Sequence, residues 1–153
     1  MTTTPAAQAS PLSEASPSVQ AHLQIMQSVI NRMATNSASC KAWCITLVSA
    51  ILVIVADKGK PNFAYIALLP TFLFLALDAY YLALEKSFRA SYNDFVRKVH
   101  AGQAVPDDLF AVQPKGSESA HQRAALASFS VWGFYGTLAV LLEVARRLVL
   151  SAA

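Results

Sequence analysis

At 153 residues, 55% hydrophobic and only 14% charged, the chain departs from a soluble domain, where about a quarter of residues are charged. Its net charge of +3 comes from 12 Lys and Arg against 9 Asp and Glu. With no long basic run and no aromatic interleaving, that charge makes nucleic acid a weak candidate, and no nucleic-acid partner is expected. The mean hydropathy of +0.41 is concentrated in three blocks, the distribution of a chain exposed to lipid rather than of an apolar soluble core.

Residues 1–15, MTTTPAAQASPLSEA, read as a disordered tail, polar and without a basic residue. The positive and apolar regions of a secretory signal are both missing, so no cleavage is expected and the first membrane helix serves as the address. Ser16 and Pro17 then supply an N-cap and a proline at the first helical position. Val19, Leu23, Met26, Ile30 and Met33 follow at helical spacing, an amphipathic stripe that continues through Ser37, Cys40, Cys44 and Leu47 into the first apolar block.

That block, Ala42 to Ala56, covers only about 22 Å as a helix against about 30 Å of hydrocarbon. Lys41 and Lys58 can snorkel at its ends, or the bilayer can thin and favour association. Ser39, Ala42, Thr46 and Ser49 mark one face with small, weakly polar side chains. Such a face serves helix packing more often than it lines a pore. The polar turn DKGKPN, Asp57 to Asn62, is long enough only to reverse the chain, so a second apolar helix must return antiparallel.

The second block carries Pro70 in its middle, where a kink is expected, and Asp78 beside Tyr80 and Tyr81 at an interface. Leu84, Phe88, Tyr92, Phe95 and Val99 extend the helix beyond the membrane to Gly102, with Glu85 and Arg89 paired on the wetter side. A connection, GQAVPDDLFAVQPK, leads to Ser119, which with Gln122 has capping-box spacing and opens a final helix. This helix holds the third apolar block, Ala124 to Leu142, before a charge cluster of Glu143, Arg146 and Arg147. It reads as a third span, with an interfacial C-terminal helix as the competitor.

The expected fold is therefore an all-α integral membrane protein: an antiparallel transmembrane helical hairpin with cytoplasmic helical extensions and a third, C-terminal transmembrane helix. A single helical domain runs over residues 16–153, with spans at 41–57, 62–83 and 125–145. Arg32, Lys41, Lys86, Arg89, Arg97, Lys98, Lys115 and Arg123 then fall on one side, and Lys58, Lys60, Arg146 and Arg147 on the other. The excess places the N-terminus in the cytoplasm.

No nucleophile and base pair, phosphate-cradling loop or metal-ligand spacing is present, so neither catalysis nor a cofactor or metal is expected. Cys40 and Cys44 lie four apart on one helix, far in sequence from His22, His100 and His121, and read as structural cysteines. Asp78 needs compensation in lipid. With the turn centred between Gly59 and Lys60, residues whose numbers sum to about 119 share a depth on antiparallel helices of equal rise. Lys41 and Asp78 are thereby a candidate intramembrane ion pair, against the simpler reading that Asp78 snorkels into headgroup water.

The plan of an amphipathic helix with NRMATNS, a hairpin with a short turn, a re-emerging LDAYYLALEKSFRASYNDF helix and a later SFSVWGFYG span resembles a group of small bacterial multi-pass membrane proteins. It also resembles the SLATT-type two-transmembrane effectors of antiphage nucleotide-signalling systems. The resemblance runs from Val19 to Tyr135 and departs from the two-span pattern in its third span. It implies location in the bacterial inner membrane and a pore-like, membrane-disrupting activity, and it carries over no catalytic residue.

Two functions follow as expectations. One is an oligomeric effector that perturbs or permeabilises the membrane, its packing or pore face formed by Ser39, Ala42, Thr46, Ser49, Gly133 and Gly136. The other is a non-catalytic anchor or accessory subunit recruiting a soluble partner through Leu23, Met26, Phe88 and Phe95. A small transporter ranks third, since three spans enclose little unless chains assemble. Membrane lipid and further copies of the chain are the expected partners.

Overall fold

Proline at position 17 has no N–H to leave unsatisfied in a first helical turn, and α1 starts there, running from Pro17 to Lys58. Ser16 is its N-cap by backbone position; its hydroxyl is engaged by the Ser13 N–H at 3.0 Å. The computed structural model describes residues 12–150, so most of the expected disordered tail, residues 1–11, lies outside the described residues. Leu12, within the expected tail but among the described residues, packs against the Val19 and Met26 cluster.

Gly59 ends α1 at φ +61, a left-handed conformation glycine adopts without strain. Residues Pro61–Ala67 form a 3-10 segment that leads into α2, Leu68–His100. Pro70 thus sits in the first turn of α2 rather than mid-helix, and a change of helix type lies just ahead of it. A first-turn N–H has no intrahelical partner, so the proline breaks no bond of the α-helix. At the far end Gly102, φ +66, donates its N–H to Val99 O at 3.0 Å while Gln103 N–H reaches Lys98 O at 2.9 Å. These two bonds are a Schellman motif.

The buried residues of α1 are Val19, His22, Met26, Ile30, Met33, Ser37, Cys40, Cys44, Val48 and Val55, the stripe along which α2 lies. Leu47, expected in that stripe, is exposed, and Val48 takes its place. His22 meets Phe95, Lys41 meets Asp78, and Val55 packs with Ala64; partner numbers rise on one helix as they fall on the other.

The final helix is broken. Its first part is α3, Glu118–Leu126, capped at Ser117 rather than Ser119. Its second is α4, Phe129–Val144, which opens at Ser128 and passes into a π-turn over Ala145–Leu150. The two parts meet at 45°. α3 lies beside the polar half of α2, where Lys86 Nζ donates to the C-terminal carbonyl of Ala124 at 2.7 Å. α4 packs on the apolar half, with Val131, Tyr135 and Leu142 buried against Cys44, Val48 and Ala67.

Among the described residues the chain is all helix and turn, without a strand. Two of its helical stretches, Pro17–Lys58 and Pro61–His100, are long and apolar enough to cross a membrane, and the bent pair becomes a third if it counts as one span.

Candidate functional site

The most consequential side chains meet where α1, α2 and α4 converge. Asp78 is wholly buried. Lys41 Nζ lies 2.5 Å from its Oδ2, and Ser37 Oγ, one turn earlier on α1, donates to Oδ1. The Lys41 ammonium also reaches Ser37 Oγ at 3.4 Å. Residues 37 and 41 share a helix face because they are four apart, so one face of α1 supplies both a counter-charge and a donor. Lys41 keeps 19% of its side chain exposed, the pattern of a long stem lying on apolar surface with its head toward polar surroundings.

Tyr135 brings α4 into the same cluster. Its hydroxyl is buried, with Asp78, Cys44 and Cys40 as its electrostatic neighbours. Thr71, buried one turn into α2, donates its hydroxyl to Ala67 O at 2.7 Å and lies beside the Cys44 thiol. Both cysteines are free and face this interior. Polar groups held in an apolar setting are costly unless paired. Here one carboxylate is matched by one ammonium and one hydroxyl donor, with the Tyr135 hydroxyl beside them.

A second cluster sits in the polar half of the molecule. His22, 1% exposed, accepts the Phe110 N–H at Nδ1, 2.9 Å away, and stacks edge-on against Phe95 with ring centroids 4.5 Å apart. Phe110 holds φ +62, unusual for a bulky residue, and its N–H is held by that imidazole. Burial pushes the His22 pKa below 6.5, with the Asp108 charge opposing. Around it, a cleft of about 290 Å3 is bordered by Asp94, Lys98, Asp108 and Lys115, paired as Lys98 with Asp108 at 2.5 Å and Lys115 with Asp94. The Lys98 ammonium, hydrogen-bonded to Asp108, lowers that carboxyl's pKa; the Lys115 bond does the same for Asp94.

Ser39, Ala42, Thr46 and Ser49 all point outward, and the Thr46 hydroxyl is turned back onto Ala42 O at 3.0 Å. Gly133 and Gly136 are half-buried on α4. Ser49 and Gly133 line one groove of about 530 Å3 between α1 and α4; the other members do not join it. Glu143 receives Arg146 through two bonds of 2.7 and 2.9 Å and also Arg147, while the Arg146 guanidinium lies 5.2 Å above the Tyr65 ring.

Of the residues expected to dock a partner, Met26 and Phe95 are packed together with Val19 and Val99, and Leu23 lies half-buried against them; Phe88 is also half-buried.

Sequence reasoning missed Ser37, Tyr135, His22 and Phe110 as site residues. A signal for His22 existed: it falls between Val19 and Met26 at the three-and-four spacing of the buried stripe. Among the described residues no three His, Cys, Asp or Glu gather as metal ligands. No family model, curated protein or solved structure matches the chain.

Proposed function

We propose that the chain is an integral membrane protein whose α1 and α2 form an antiparallel transmembrane hairpin, joined by a third crossing through α4, and that it acts by assembling and perturbing the bilayer. Lys41 lies 18 residues before Gly59, about 27 Å along a helix, so with the turn at one face the polar cluster sits near the opposite edge of the ~30 Å hydrocarbon. Trp43 and Trp132, both exposed, lie close in sequence to Lys41 and Tyr135, consistent with an interfacial aromatic belt. The third crossing draws support from two contacts of the C-terminal stretch: Tyr135 of α4 is beside Asp78, and Arg146, just past α4, is over Tyr65 near the turn. The Lys and Arg excess supports a cytoplasmic side for the extensions, in keeping with the resemblance to bacterial antiphage effectors of the inner membrane.

The observation that carries assembly is the outward face of α1: Ser39, Ala42, Thr46 and Ser49 are exposed although they occupy or border the apolar block. Small residues facing lipid bring no packing gain, whereas against another helix they permit close approach. Two of the anchor reading's docking side chains, Met26 and Phe95, pack in the chain's own core, which favours the assembly reading. Induced expression in a bacterial host with a membrane-potential dye tests the effector reading. Depolarisation that disappears when Thr46 and Ser49 are both replaced by Leu supports it; normal potential and growth, alone and with its neighbouring genes, removes it.

A further inference from the structure

Between the C-terminal end of α1 and the 3-10 segment lies a groove of about 430 Å3, lined by Ile51, Ile54, Val55, Phe63 and Ile66 together with Lys58 and Lys60. Its volume falls within the range of ligand pockets, about 300–1,000 Å3. The sequence dictates its form. Pro61 begins a tight 3-10 stretch whose side chains eclipse every third residue, so Ala64 and Ala67 face the interior while Phe63 and Ile66 stand outward. Val55 touches the small Ala64, and the larger neighbours on either side leave the trough.

We propose that this groove binds an anionic phospholipid, with an acyl chain along the apolar floor and the phosphate between Lys58 and Lys60. The inference rests on the membrane reading above. Charge complementarity selects the occupant: five of the lining residues are apolar, and the two charged ones, Lys58 and Lys60, are both cationic. Both ammonium groups can serve a phosphate. Lys58 is 3.7 Å from Asp57, with both side chains more than two-thirds exposed, a pair that yields readily to a better anion. Lys60 Nζ lies over the Phe63 ring, 5.7 Å from its centroid, and Phe63 also lines the groove. A peptide would need polar partners along its length, and the floor offers none; an amphiphile with one anionic end fits both features.

The test uses the full chain, first checked for resistance to alkaline extraction from membranes, then released from micelles for native mass spectrometry with dioleoyl-phosphatidylglycerol or dioleoyl-phosphatidylcholine. Phosphatidylglycerol should be retained in preference, each lysine contributing about fivefold in affinity for an anionic headgroup. The Lys58→Gln/Lys60→Gln variant should hold the two lipids alike, and Ile54→Trp, which fills the trough from an exposed position, should retain neither. Equal retention by the parent chain, or preference surviving in the double variant, overturns the lipid site. Extraction into the alkaline supernatant overturns the membrane reading itself, before any lipid is added.

Discussion

The Asp78 carboxylate has no route to water, whereas its partner Lys41 keeps part of its stem exposed, and this asymmetry orders the effects of substitution. Lys41→Gln leaves a buried charge with Ser37 as its remaining donor, so a loss of about 3–5 kcal/mol is expected. Asp78→Asn leaves an ammonium able to snorkel and should cost less. The double change should recover part of the sum, read as SDS-induced unfolding in micelles; strictly additive losses would mean the contact contributes nothing. The pair was legible because a six-residue turn fixes relative depth. Ser37 and Tyr135 were not, because helix facing and the position of α4 depend on packing that no local spacing records. His22, outside the spans, gives a second expectation at this scale. Its folded pKa lies below 6.5, so the unfolded chain takes up the proton first. Stability from this cluster is therefore full above pH 6.5 and falls as pH drops below it, and the protonated ring can no longer accept the Phe110 N–H. Hydrogen exchange at Phe110 should accelerate in acid. His22→Gln, an acceptor that does not titrate, should remove the acid dependence at that amide.

At the scale of elements, helix starts and stops were readable where backbone chemistry alone decides them. Ser16-Pro17, Gly59 and Gly102 mark ends in the sequence and in the structure. Gly102 has open space where a Cβ would go, so Gly102→Ala isolates the cost of a left-handed backbone, about 1–2 kcal/mol by thermal or chemical unfolding. Pro70 misled because its effect depends on where the helix begins. In the first turn of α2 it removes no α-helical bond, so Pro70→Ala should change stability by less than about 0.5 kcal/mol, against about 3 kcal/mol for a mid-helix proline. The break at Ala127 and Ser128 was hidden for a similar reason: no Gly or Pro marks it. α3 follows the polar half of α2, α4 follows the apolar half, and the 45° bend joins the two surfaces.

For the whole molecule, three apolar blocks in a chain of 153 residues left little choice of class, and the all-helical architecture was legible from them. The use of the extensions was not, since an amphipathic stripe looks the same whether it meets a partner or its own neighbour. Assembly is expected through the outward face of α1. Ser49→Cys in a chain with Cys40 and Cys44 replaced by Ala should form disulfide-linked dimers in native membranes, whereas the native cysteines, buried at 7% and 0% exposure, should not. The claim on which assembly, polar cluster and lipid groove all depend is three crossings with the N-terminus inside. Single cysteines at Asn62, Ser117 and Arg147 in that cysteine-free chain, treated in intact cells with a membrane-impermeant maleimide, test it most directly. Asn62→Cys and Arg147→Cys should label from outside, and Ser117→Cys only after the membrane is opened. Labelling of all three alike, or of Arg147→Cys only together with Ser117→Cys, would contradict it.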